Sequence, residues 1–202
     1  MNLIVQRGKP YEYKDAETGE QFFSVSQVRK VMWDGFDKIP YAVLEAARER
    51  GERLHTYFAL MMGSRVQVCQ APEPIAEYAG YCTAINKWIA DYRPIPKAIE
   101  EPSVDRKLGT AGTRDLDVVL PDTKRNRFEI TDLKTGEPIA SDPVQLMAYG
   151  FMEGCERHDR KFDLYVHADG TYDFKEVKPI LHQADWACFL NALQVLKWRT
   201  NK

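Results

Sequence analysis

Asp132-Leu133-Lys134 closes an apolar run of Phe128, Ile130 and Leu133 and leads directly into Thr135-Gly136. Upstream, Leu116, Val118 and Leu120 alternate with Asp115, Asp117 and Val119, and a polar stretch from Pro121 to Asn126 separates the two segments. Such alternation reads as two strands joined by a turn. With the turn centred between Thr123 and Lys124, Leu120 faces Arg127 and Asp115 faces Asp132. Period-two alternation puts Asp117 on the face of Asp115, and Lys134 on the face of Asp132. Directly opposed carboxylates repel each other. Three acids and a lysine in one patch make physical sense around a divalent cation such as Mg2+, which takes oxygen ligands. An ion so held can lower the pKa of bound water and clamp the oxygens of a transferring group. The Asp-x-Lys spacing alone carries little, since it recurs at Asp105, Asp122 and Asp173. Strand context and the facing acid select the copy at Asp132.

Other elements must hold that hairpin in place. Residues 7–25 read as a β-hairpin, with Tyr11 and Tyr13 before a turn-like stretch and Phe22, Phe23 and Val25 after it. Residues 41–62 carry a helical stripe that includes Leu44, Ala47, Leu54, Phe58 and Met62. A second helix runs from about Ile75 to Tyr92 and ends before Arg93-Pro94, because the residue before proline disfavours helix. Strands occupy the stretch from Ile99 to Thr135. Asp142-Pro143 starts a helix with Val144, Leu146, Met147 and Phe151 inward. A hairpin from Phe162 to Val177 turns at Asp169-Gly170, and a last helix spans about Gln183 to Trp198. The order predicts an α/β fold in which helices flank a central mixed sheet. It reads as one domain over residues 1–202, an N-terminal hairpin appendage at 1–30 and a core at 40–202.

Three motifs then occur in order: Gly112-Thr113-Arg114-Asp115, Asp132-Leu133-Lys134-Thr135-Gly136, and Gln145 to Tyr149. As G-x-x-D, D-x-K and Q-x-x-x-Y, the set resembles the RecB-like, phage-type exonuclease branch of the PD-(D/E)xK nuclease superfamily, with its restriction-endonuclease-like core. Arg50-Gly51-Glu52-Arg53-Leu54-His55 is similar to the early histidine of that branch. Tyr11 and Ser24-Val25-Ser26-Gln27-Val28 are similar to the leader of its phage-type members, so the resemblance spans roughly residues 11–150. It implies Asp115 and Asp132 as catalytic metal ligands, joined by His55 and the backbone carbonyl of Leu133. Lys134 would orient the attacking water or act on its proton, and Gln145 and Tyr149 would position the site and the DNA strand. Glu101 resembles an acid on the preceding strand, with Glu100 beside it leaving the register open, and Asp117 shares the face but not the motif position. The cysteine cluster that some relatives use for an iron–sulfur centre is missing, so no such cluster is expected.

Each assignment has a plainer structural alternative. His55 reads equally as a half-buried helix histidine, Gln145 as the partner of Asp142 in a capping box, and Tyr149 as a core aromatic. The charges of the hairpin read as a solvated surface. Arg48, Arg50, Arg53, Lys124, Arg125 and Arg127 are candidate phosphate contacts or solvated faces. His158, His167 and His182 are read as structural, and Trp88 and Trp186 as core.

Composition bounds the rest. Apolar residues at 44% and aromatics at 11% exclude disordered and low-complexity classes. Lys plus Arg at 28 against Asp plus Glu at 30 argues against coating nucleic acid by bulk positive charge, though bound cations would reverse the sign at the acids. No apolar run approaches the roughly 18 residues of a membrane span, and Leu3, Ile4 and Val5 before Arg7 are too few for a signal peptide. Cys69, Cys82, Cys155 and Cys188 are scattered, which speaks against a zinc ribbon and fits reduced thiols. The expectation is an Mg2+- or Mn2+-dependent DNA exonuclease of phage or prokaryotic recombination and repair, in the cytoplasm. Its partners would be DNA ends and a recombination protein, with no membrane. An endonuclease on the same core and a catalytically silent DNA-binding subunit are the alternatives.

Overall fold

The computed structural model describes residues 3–6, 12–32, 38–67, 72–121, 128–152, 158–178 and 181–200. Strands β1 (Leu3–Gln6), β2 (Glu12–Asp15) and β3 (Gln21–Ser24) form an antiparallel N-terminal meander. The chain then turns into α1 (Val25–Val31), which opens on a capping box: Ser24 accepts from the Gln27 N–H, and the Gln27 side chain accepts from the Ser24 N–H. Strand β1 and helix α1 were not expected from the sequence, and Val25 begins the helix rather than ending a strand. Helices α2 (Tyr41–Gln67) and α3 (Ala79–Tyr92) follow, the latter entered through a 3-10 turn at Ala76–Tyr78. Then come β4 (Ile95–Asp105), β5 (Thr110–Val119), β6 (Phe128–Lys134), α4 (Asp142–Phe151), β7 (His158–Val166), β8 (Tyr172–Glu176) and α5 (His182–Thr200).

The architecture is α/β: among the described residues, eight strands form one mixed sheet flanked by helices. One edge of β5 is taken along its length by β4. The other is shared, with β3 pairing in parallel at Thr110 and Ala111 and β6 pairing antiparallel from Leu116 to Val118. Strands β6 and β7 are parallel, joined through α4, and β8 closes the sheet antiparallel to β7. The observed β5–β6 register pairs Leu116 with Thr131 and Asp117 with Ile130, the alignment expected from a turn centred at Thr123 and Lys124. That turn, at 122–127, lies outside the described residues, as does Tyr11.

Two apolar cores hold the layers. Leu54, Phe58 and Met62 of α2 and Ile85 and Trp88 of α3 meet Leu116, Val118, Leu133 and Leu164 of the sheet. Val25 and Val28 of α1, Val144, Leu146 and Ala148 of α4 and Phe189 and Leu193 of α5 gather with Ile130. Burial of these side chains, at about 1.5–3 kcal/mol each, fixes which strand ends lie beneath which helix ends. Helix α1, which falls within the segment read as an appendage, is thus packed in the same core as α4 and α5.

Candidate active site

Three carboxylates lie in a row across β4, β5 and β6. The pairs Ile99–Leu116 and Glu101–Arg114 set Glu100 opposite Asp115, and the pair Leu116–Thr131 brings Asp132 alongside on the other neighbour. The backbone N–H of Leu133 donates to Asp115 Oδ2 at 2.7 Å, tying β5 to β6 through the acid itself. His55 reaches the row from α2, with Nδ1 3.2 Å from Asp115 Oδ1. One ligand atom each of His55, Glu100 and Asp115 lies within 4.8 Å of the others, the spacing of a metal-binding cluster. Glu100 adopts a left-handed backbone, φ +49°, uncommon for a side chain of its size and a strain found at functional sites.

Helix α2 is docked at the end of β6. Arg50 Nη2 donates to the Thr135 carbonyl at 3.1 Å, and its guanidinium lies over the Tyr81 ring at 5.4 Å. A β-carbon at Gly51 would meet Thr135 Oγ1 at 3.8 Å, an ordinary contact, so space does not demand glycine there. Arg48 pairs with Glu45 and Arg53 with Glu77, so two of the basic residues weighed as phosphate contacts are held by neighbours on the surface. Lys124, Arg125 and Arg127 lie outside the described residues.

A second network surrounds Lys134. Its Nζ forms an ion pair with Asp132 Oδ2 and donates to Gln145 Oε1 at 2.9 Å. Gln145 Nε2 donates to Asp132 Oδ1 at 3.2 Å and to the Tyr149 hydroxyl at 3.0 Å. Its carbonyl also accepts from Arg29 Nη1 at 2.7 Å, so the amide is bonded on both ends and its orientation is fixed. The capping box considered for Asp142 and Gln145 is absent: Ser141 is the N-cap, and the Gln145 side chain is spent on the site. Asp142 lies in the first helical turn instead, accepting from Arg29, from the Ile139 N–H and from the Tyr165 hydroxyl.

Electrostatics follows from these pairings. Burial alone would lower the His55 pKa, but the charge and hydrogen bond of Asp115, with Asp132 and Glu100 beyond, raise it to about 9. Burial likewise resists ionisation of Asp115, yet His55, the Leu133 N–H and Lys134 hold it below its ordinary value. At Asp132 burial prevails over the pull of Lys134 and, aided by the charge of Asp115, moves the pKa up. Lys134 is raised, its burial outweighed chiefly by Asp132. Asp163, buried beside this network, is pushed up to about 8 by burial, against the opposing charge of Lys134.

The structure thus brings Asp115, Asp132, Lys134, His55, Gln145 and Tyr149 together. Leu133 contributes its N–H to Asp115 and buries its side chain in the core. Two sequence candidates are not in the cluster. Asp117 is taken by a buried double hydrogen bond from Arg114, which also bonds Ser103, so it serves the fold. Glu101 pairs across from Arg114, and the acid near His55 is its neighbour Glu100. His182 bonds the Val177 carbonyl at 3.2 Å and His167 sits 3.7 Å from Asp173, both away from the site; the His158 side chain is outside the described residues. Trp88 is fully buried, whereas Trp186 is half-buried and stacks on the exposed Phe151.

The sequence alone does not single out Arg29, Asp163 or Tyr165, and it marks Asp142 only as a cap. Arg29 carries no local signal, because tertiary packing of α1 delivers it. A signal existed for the others: Lys161, Asp163 and Tyr165 alternate with Phe162, Leu164 and Val166, a polar face on a strand whose residues 161–166 are all buried. Arg29, His55, Asp132, Lys134, Asp142 and Gln145 line a common pocket with the loop from Thr135 to Ile139.

No family model matches the chain, and no curated protein matches it. Among solved structures it is similar to an alkaline exonuclease from Laribacter hongkongensis at 15% identity, covering 89% of this chain and 93% of the other with a TM-score of 0.39.

Proposed function

We propose that the chain is a divalent-metal-dependent deoxyribonuclease that hydrolyses phosphodiester bonds from DNA ends. The observation that carries this reading is the row Glu100–Asp115–Asp132, with His55 on the central Asp115 and Lys134 on Asp132. Mutually facing buried acids are costly unless a cation offsets them. The donor set, carboxylate oxygens with one imidazole nitrogen, fits Mg2+ or Mn2+ held by His55, Glu100, Asp115 and Asp132. When bound, such an ion neutralises phosphate charge and makes water a competent nucleophile at neutral pH.

The chain's own residues supply the rest. Lys134, fixed by Asp132 and Gln145, presents an ammonium where a phosphate oxygen or the attacking water would need a donor. Gln145 holds Asp132 and Lys134 at a set separation, and Tyr149 holds Gln145. Motif resemblance supports DNA as substrate, a companion protein and a setting in phage or prokaryotic recombination or repair. No helix among the described residues is long and apolar enough to cross a membrane. End-labelled linear DNA and closed circular DNA, each with Mg2+, Mn2+ or EDTA, test the reading. Metal-dependent degradation of the linear form alone is expected. Cleavage of the closed circle would replace the exonuclease with an endonuclease, and no cleavage of any DNA would refute both.

A further inference from the structure

Asp142 gathers donors from four parts of the fold and is itself 2% exposed. Oδ2 accepts from the Ile139 N–H at 3.0 Å and from the Tyr165 hydroxyl at 2.9 Å. Oδ1 accepts from Arg29 Nη1 at 3.1 Å and lies 3.7 Å from Lys134 Nζ. Tyr165 is the register partner of Lys134 on the neighbouring parallel strand. Lys134, Asp142 and Tyr165 therefore close a triangle that joins β6, α4 and β7.

We infer that Asp142 is a positioning residue for Lys134, with Tyr165 as its brace. An ammonium has three donors and no preferred rotamer. Here Nζ is paired with Asp132, donates to Gln145 and faces the Asp142 carboxylate as an ion pair at 3.7 Å. Asp132 has a second claim on its oxygens in the proposed function, and the Gln145 carbonyl is shared with Arg29. Asp142 is a carboxylate near Lys134 that the proposed metal site leaves alone, as is Asp163, and it is held by a tyrosine hydroxyl and a backbone N–H. It thus keeps Lys134 aimed across the pocket, and through Ile139 it also ties down the loop that forms the pocket wall.

The kinetic test rests on the nuclease reading; a crystallographic one does not. Asp142→Asn keeps the shape and removes the charge, and Tyr165→Phe removes only the brace. With linear DNA and saturating Mg2+, kcat is expected to fall about 100-fold in Asp142→Asn and about 10-fold in Tyr165→Phe, because small misplacements of a catalytic group have large costs. KM for DNA should stay within about threefold, since ground-state binding is not what these groups supply. A merely structural role would instead lower the melting temperature and leave kcat per folded molecule intact, which would overturn the inference. Should Asp142→Asn fail to fold, Tyr165→Phe decides by the same criterion. If wild-type protein cuts no DNA, the nuclease reading falls and crystal structures of the variants decide. Displacement of Lys134 Nζ from Gln145 is expected, and Nζ within about 3.2 Å of Gln145 Oε1 in both variants would overturn the assignment.

Discussion

A β-carbon on Gly112 would lie 2.6 Å from Cε1 of Tyr149, and 3.2 Å from a methyl of Val25. The glycine of the G-x-x-D motif and the tyrosine of the Q-x-x-x-Y motif are therefore one contact: β5 must be bare at 112 for α4 to bring Tyr149 down and Gln145 over Asp132. Gly112→Ala should cost about 1–3 kcal/mol through overpacking. At this chain length that is a loss of several degrees in melting temperature. An unchanged melting temperature would show that the contact is not tight in solution.

That pair also shows what could be read from the chain before its structure. Alternation and the turn centre sufficed to place Asp115 against Asp132, because strand pairing across one turn is a local matter. The parity of β4 was not local: only its register against β5 decides that Glu100, and not Glu101, meets Asp115. Asp117 had the right parity, yet Arg114 draws it into a buried pair that no spacing rule anticipates. Arg29 was invisible for the same reason, since it reaches Gln145 only after α1 packs with α4 and α5.

Arg29 should matter to stability as well as to the site. Asp142 is almost wholly buried, and Arg29→Ala removes one of its charged donors. The remaining donors, Ile139 N–H and Tyr165, with the Lys134 ammonium 3.7 Å away, limit the damage to about 1–3 kcal/mol at neutral pH. Denaturant unfolding measures this. A variant as stable as the wild type would mean that water replaces the guanidinium without cost.

Asp163 gives a pH dependence of definite sign. Its ordinary pKa is 3.8 and its folded value about 8, raised chiefly by burial, with Oδ1 lacking a hydrogen-bond partner among the described residues. The folded state therefore keeps a proton that the unfolded chain releases as pH rises past about 4. Its stabilisation is full below the unfolded value and is lost as pH climbs through about 8. Asp163→Asn removes that dependence. In EDTA, its unfolding free energy relative to wild type should rise steadily from about pH 5 to about pH 8, by an amount on the order of a few kcal/mol. A difference that is flat with pH would show that Asp163 ionises freely.

Metal should stabilise the fold through the same acids that the proposed reaction requires. Ligand binding to the native state alone adds about 2.7 kcal/mol at one hundred times the dissociation constant. Mn2+ is therefore expected to raise the melting temperature of wild-type protein and to leave that of an Asp115→Asn, Asp132→Asn double variant unchanged. Equal shifts in both proteins would place the ion elsewhere.

The most direct test is the rate at which purified protein shortens end-labelled linear DNA in Mg2+, measured beside Asp132→Asn and Lys134→Ala. Wild-type protein should degrade the DNA and stop on addition of EDTA. Each variant, folded by circular dichroism, should be slower by about a thousandfold or more, the scale of losing a general acid–base or charge-stabilising group. Full activity in either folded variant would contradict the assignment of the site.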